Sequence, residues 1–234
     1  MSKSSIILIL SACLLMQAQA IPRMRRDAGE VAVERKQTSA AKDEDASSSE
    51  KLGFTKGRQS LMTTTLVDLV GLAKYTTENG RPLFKKTLAQ LEALPEKSPA
   101  LQANISRISE YLKTNDATNT VEAEGMLSLF ESMITLTDIL QDANDMPADL
   151  DETKTIQRAF IDNGSDKFEE DLLAELKVVS GKFEKAIQRY LDTLNEEDTA
   201  KESKLIDWFT KFKNEKNDEK KAEHYANFFD SFKP

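Results

Sequence analysis

The stretch from Ser165 to Asn195, SDKFEEDLLAELKVVSGKFEKAIQRYLDTLN, keeps a single apolar period along its whole length. Phe168, Leu172, Leu176, Val179, Phe183, Ile187, Tyr190 and Leu194 recur at steps of three and four, while Glu170, Lys177, Glu184, Gln188 and Asp192 fall on the other side. A half-buried strand would place apolar residues at every second position, so this spacing predicts an amphipathic helix. At about 1.5 Å per residue it would run roughly 45 Å, well beyond the mean helix of about 11 to 12 residues. A helix of that length needs several partners, and it reads as a spine. Ser165, following Gly164, is expected to cap it, with Asp166, Glu169 and Glu170 near the positive end of the dipole. Ser180-Gly181 at its midpoint is the expected place for a bend.

The same period recurs upstream and downstream. A first helix is predicted over Arg58 to Glu78, with Leu61, Met62, Leu66, Leu69, Leu72 and Ala73 on one face. Gly80 is read as its stop and Pro82 as the start of a second, carrying Phe84, Leu88 and Leu91 as far as Pro95. Ser98-Pro99 restarts the pattern with Leu101, Ile105, Ile108 and Leu112. Asn119 and Glu122 form a capping box before a helix over Val121 to Asp142, whose apolar residues spread over about half its circumference and predict deep burial. A shorter helix bearing Ile156, Ala159 and Phe160 follows and ends at Asn163-Gly164. Beyond the long helix, Thr199 and Glu202 are read as a further capping box ahead of Leu205, Trp208, Phe209 and Phe212. A last helix from about Asp218 carries Ala222, Tyr225, Phe229 and Phe232. The fold class is therefore all-α: an antiparallel helical bundle of about seven or eight amphipathic helices.

The N-terminus has a different character. MSKSSIILILSACLLMQAQA joins Lys3, an eleven-residue apolar run from Ile6 to Met16, and small residues at Ala18 and Ala20. That is the pattern of a secretory signal peptide over residues 1–20, and the run is too short for the ~20 residues a bilayer requires. The expected location is secreted and extracellular, and no later run suggests a transmembrane segment. Residues 21–52 form an acidic, Ser-rich leader with almost no large apolar side chain, too little to offset its ordering entropy, and are expected to be disordered. Arg23-Met24-Arg25-Arg26 within it has the form of a convertase site, with cleavage after Arg26. Residues 53–234 then make a single helical domain. About 180 residues bury enough surface to fold without staples. The point matters because the only cysteine, Cys13, lies in the signal peptide.

The formal charge of −8 becomes −9 when Lys3 leaves. That balance disfavours nucleic acid as a partner. Catalytic constellations are equally scarce in the sequence. His224 is the sole histidine, no HExxH or Glu-x-x-His occurs, and no Gly-x-Ser-x-Gly elbow or glycine-rich phosphate loop is present. Asp142-x-Asn144 and Asp162-x-Gly164-x-Asp166 resemble the opening of a calcium loop, but Met146 and Pro147 in the first, and Lys167 and Leu173 in the second, occupy required positions. No enzyme activity, cofactor or metal is expected.

Two sequons remain, Asn104-Ile105-Ser106 and Asn163-Gly164-Ser165, each a candidate glycosylation site in a secreted chain. Asn163 is the stronger, because it sits at a predicted helix break. Trp208, Phe209, Phe212, Tyr225, Phe229 and Phe232 form a candidate apolar ligand face, although an amphipathic helix also needs such residues simply for core. The functional expectation is a secreted soluble helical binding or carrier protein, its ligand an apolar small molecule or lipid. The alternative is a secreted protein–protein interaction or structural protein without catalysis, its partner another extracellular protein.

Overall fold

The computed structural model describes residues 56–114, 123–147 and 149–217, together with 220–221, 224–225 and 228. The signal peptide, the leader with Arg26, the Asn119/Glu122 box, Phe229 and Phe232 lie outside the described residues. Within them the chain is all-helical, without a strand. Seven α-helices follow one another: α1 Lys56–Glu92, α2 Pro99–Thr114, α3 Ala123–Asp145, α4 Asp151–Asp162, α5 Ser165–Leu191, α6 Glu196–Lys201 and α7 Ser203–Asn214.

The largest departure from the sequence reading is α1. It is one helix of 37 residues with Pro82 inside it, where two were expected. Pro82 has no amide to give the Glu78 carbonyl, and a proline in a helix interior costs about 3 kcal/mol. Two features offset that cost. Glu78 and Pro82 both lie on the exposed side, so the carbonyl that loses its partner faces water. On the opposite side, Leu72, Ala73, Thr76, Thr77, Gly80, Leu83, Phe84, Thr87 and Leu91 are all buried at unbroken helical spacing. Burying Leu83 and Phe84 alone contributes roughly 1.5–3 kcal/mol each. Gly80 is not a stop. A β-carbon there would lie 2.3 Å from a methyl of Leu136, so the glycine lets α3 approach α1.

α1, not α5, is the organising element, since it packs on α2, α3, α4 and α5. Its contacts with the second half of the chain run in reverse order: Arg58 near Glu202, Asp68 near Lys182, Gln90 beside Asn163. α1 and α5 are therefore antiparallel. Buried threonines in α1 satisfy their hydroxyls on the preceding turn, Thr65 donating to the Leu61 carbonyl at 2.9 Å and Thr76 to that of Leu72 at 2.8 Å.

The core has two halves. Phe84, Ile108, Tyr111, Leu136, Phe160 and Leu172 belong to one; Leu69, Phe130, Phe183, Ile187, Phe209 and Phe212 to the other. α5 supplies Phe168, Leu172 and Val179 to the first and Phe183, Ile187 and Tyr190 to the second, so Ser180-Gly181 marks its passage between them. α5 is continuous through that point. α3 is as deeply buried as its wide apolar arc predicts, from Leu129 and Phe130 to Leu140 and Ala143.

Local start signals fare unevenly. Ser98 caps α2, its Oγ accepting from the Leu101 amide at 3.2 Å. Ser165 does not cap α5: Gly164 holds the cap position with φ +98°, and Ser165 is a buried residue of the first turn. The Thr199/Glu202 box is also absent. Asn195 caps α6, its Oδ1 accepting from Asp198 N at 2.8 Å, while the Thr199 hydroxyl donates to the Asn195 carbonyl at 2.7 Å.

Candidate functional sites

Three places combine polar chemistry with shape. The first is the aromatic set at the C-terminal side of α5. Phe183 lies edge-on to Trp208, Phe212, Tyr225 and Phe228, with centroid distances of 5.9, 5.8, 4.6 and 4.7 Å. Trp208 stacks on Phe212 at 5.1 Å, the planes 13° apart. These are the offset and edge geometries that ring quadrupoles favour. The structure thus brings together four of the six expected residues, since Phe209 and Phe212 are buried on α7 and Tyr225 and Trp208 meet the same ring. It adds Phe183 and Phe228, which the sequence reading did not place in the set. The signal for Phe183 was present in its position on the inner stripe of α5. The C-terminal segment is tied down by Trp208 Nε1 donating to the His224 carbonyl at 2.9 Å and by Lys221 pairing with Glu184 at 2.7 Å. His224 itself is half-buried.

The second is Glu202, buried at the α6–α7 junction. Its Oε1 accepts from the Tyr190 hydroxyl at 2.7 Å and lies 3.8 Å from the Arg58 guanidinium. A buried carboxylate is costly unless paired and hydrogen-bonded, and this one has both partners. It fastens the start of α1 to the end of α5. Nothing in the local sequence announces the arrangement, because its three residues come from α1, α5 and the α6–α7 corner.

The third is an open groove of about 430 Å³ between α2 and the end of α3, lined by Ala103, Asn104, Arg107, Asp142, Asp145 and Met146. Arg107 pairs with Asp142 across it, and Asp145 accepts from Gln141. Desolvation, with the neighbouring Asp142 charge, holds the Asp138 carboxyl above its ordinary range against the opposing pull of Arg107. Deeper between α2 and α3, burial raises the Tyr111 phenol, with its hydrogen bond to Ser132 and the charge of Arg81 opposing. Sequence reasoning missed this groove because Arg107 and Asp142 lie on the polar sides of two separate helices.

Both sequons fall within the described residues. Asn104 is half-buried on the groove's rim, its Nδ2 donating to the Ala100 carbonyl at 3.0 Å. Asn163 stands at the α4–α5 corner, where its Nδ2 donates to Gln90 Oε1 at 2.6 Å and to the Ala159 carbonyl at 2.7 Å.

Among the described residues no group of three or more His, Cys, Asp or Glu side chains is placed to hold a metal ion. No helix among them is long and apolar enough to cross a membrane. The architecture defines an all-α protein. Compared with known protein families, curated proteins and solved structures, the chain matches none.

Proposed function

We propose that the chain is a secreted helical protein, a single antiparallel bundle behind a signal peptide and an acidic leader, that acts by binding another extracellular protein through its outer surface and catalyses no reaction. The observation that carries this reading is how the aromatic side chains are used. Phe183 meets four rings and is 1% exposed, so the residues that would line an apolar pocket are occupied with one another. Apolar area remains on the outside. Val67 on α1 is 64% exposed and Val178 on α5 is 50% exposed. Both fall within one turn of the Asp68–Lys182 pair that joins these helices at 3.9 Å. The acidic balance and the scarcity of catalytic constellations agree with a binding role.

The test is recovery of the protein from its native fluid by native mass spectrometry, beside Val67→Glu and Val178→Glu variants. A specific protein complex that both variants lose while keeping their melting temperature supports the reading. A free chain carrying an extractable apolar molecule defeats it.

A carrier role is the second reading, favoured by the C-terminal segment. Tyr225 and Phe228 cover Phe183, and displacing them would open an apolar surface to a lipid. A rise in melting temperature with fatty acids or sterols would favour it.

A further inference from the structure

We propose that Asn104 is the residue that carries an N-linked glycan, that Asn163 stays unmodified, and that the first sugars at Asn104 lie along the groove between α2 and α3. The inference rests on the reading of the chain as secreted.

The two acceptors share the same chemistry. In N-glycosylation the amide nitrogen attacks C1 of an oligosaccharide carried on a pyrophosphate leaving group. The N–C1 bond forms, the C1–O bond breaks with its electron pair going to the departing oxygen, and one of the two Nδ2 protons is lost to a base. The glycosylated asparagine keeps one N–H. That proton count separates the two sites.

Asn163 spends both Nδ2 protons in the fold, one on Gln90 Oε1 of α1 and one on the Ala159 carbonyl of α4. A glycan there forfeits one of these bonds, and it introduces a sugar where the α4–α5 corner meets α1. Gln90 also donates to Asp162 at 3.4 Å, so the disturbance would extend to a second residue of that corner. Asn104 spends one proton, on the Ala100 carbonyl one turn back. The second is free to be replaced, and the residue stands at the rim of an open groove, with exposed Ser106, the sequon hydroxyl, two residues further along α2.

The groove suits the first sugars. Its volume of about 430 Å³ falls within the range of roughly 300–1,000 Å³ seen for small-molecule sites. Ala103 and Met146 offer apolar surface to a C–H face, while the Arg107–Asp142 pair and Asp145 offer a donor and acceptors to hydroxyls.

The experiment expresses the full chain in a secretory eukaryotic cell, alone and with Asn104→Gln, Asn163→Gln or both. A parallel set has residues 1–20 exchanged for a leader of proven secretory function. Enzymatic deglycosylation in heavy-oxygen water, followed by peptide mass spectrometry, marks each occupied asparagine. We expect the mark on Asn104 alone, loss of the glycan mass in N104Q and no change in N163Q. Secreted chain with Asn104 unmarked, or with Asn163 marked in its place, overturns the proposal. If only the exchanged leader delivers chain to the medium and Asn104 is marked there, the secretion reading fails and the site assignment stands. For the groove, dilute peroxide should oxidise Met146 several-fold more slowly in the glycosylated protein than after deglycosylation. Equal rates would place the sugars elsewhere.

Discussion

Gly80 of α1 lies against the side chain of Leu136 on α3, so close that a β-carbon would meet a leucine methyl at 2.3 Å. Leu136 is itself fully buried and has little room to retreat. Gly80→Ala would gain up to about 1 kcal/mol of helix propensity but incur an overpacking cost of about 1–3 kcal/mol, so a net destabilisation is expected. Gly181→Ala on α5 is the control: nothing lies within 4 Å of the added carbon, and a gain of roughly 0.5–1 kcal/mol is expected. Urea unfolding of the two variants should give shifts of opposite sign.

Tyr190→Phe removes the hydroxyl that donates to buried Glu202 at 2.7 Å. Hydrogen bonds to charged groups contribute about 1.5–3 kcal/mol, and a loss in that range is expected. Combined with Glu202→Gln in a double-mutant cycle, the two changes should be strongly non-additive, because they share one bond.

Phe183→Ala should be among the most damaging core changes, costing about 3–5 kcal/mol, because four rings lose their common neighbour. Phe183→Leu fills most of the space and should cost far less. Trp208 reports directly, since it touches Phe183 and is the chain's one tryptophan. Its emission should shift to the red in the alanine variant well before global unfolding.

Asp138 gives a pH dependence of defined sign. Burial and the Asp142 charge raise its folded-state pKa, so the folded protein holds this proton at a pH where the unfolded chain has released it. The contribution is favourable below the ordinary carboxylate range of about 4 and is lost as pH rises through the folded value. At neutral pH the ionised group works against the fold. Asp138→Asn should therefore raise the melting temperature at pH 7, with the difference shrinking as pH falls towards 4.

What the sequence disclosed depends on where the deciding partner sits. The apolar stripes of α3, α4 and α5 are local periodicities, and Leu129, Ile156 and Phe168 are buried as their spacing predicts. The restart read at Ser98-Pro99 is local too, and the structure adds a cap there, Ser98 accepting from an amide three residues on. Pro82 misled because its cost is local and its compensation is not: the gain comes from Leu83 and Phe84 packing on other helices. Glu202 misled for the same reason, its side chain reaching Tyr190 and not its own helix amides. The groove at Asn104 combines residues of α2 and α3 whose spacing in sequence carries no signal.

The antiparallel pairing of α1 with α5 also sets the timetable on which the chain can be made. Gln90 meets Asn163 across 73 positions of sequence, and Arg58 meets Glu202 across roughly twice that separation. At a synthesis rate of about 5–20 residues per second, the far end of this pairing reaches the ribosomal exit on the order of ten seconds after α1 has left it. Throughout that interval the first helix has only α2, α3 and α4 to lie on as each emerges, and the part of its apolar face that α5 will cover must be kept out of the reach of its neighbours.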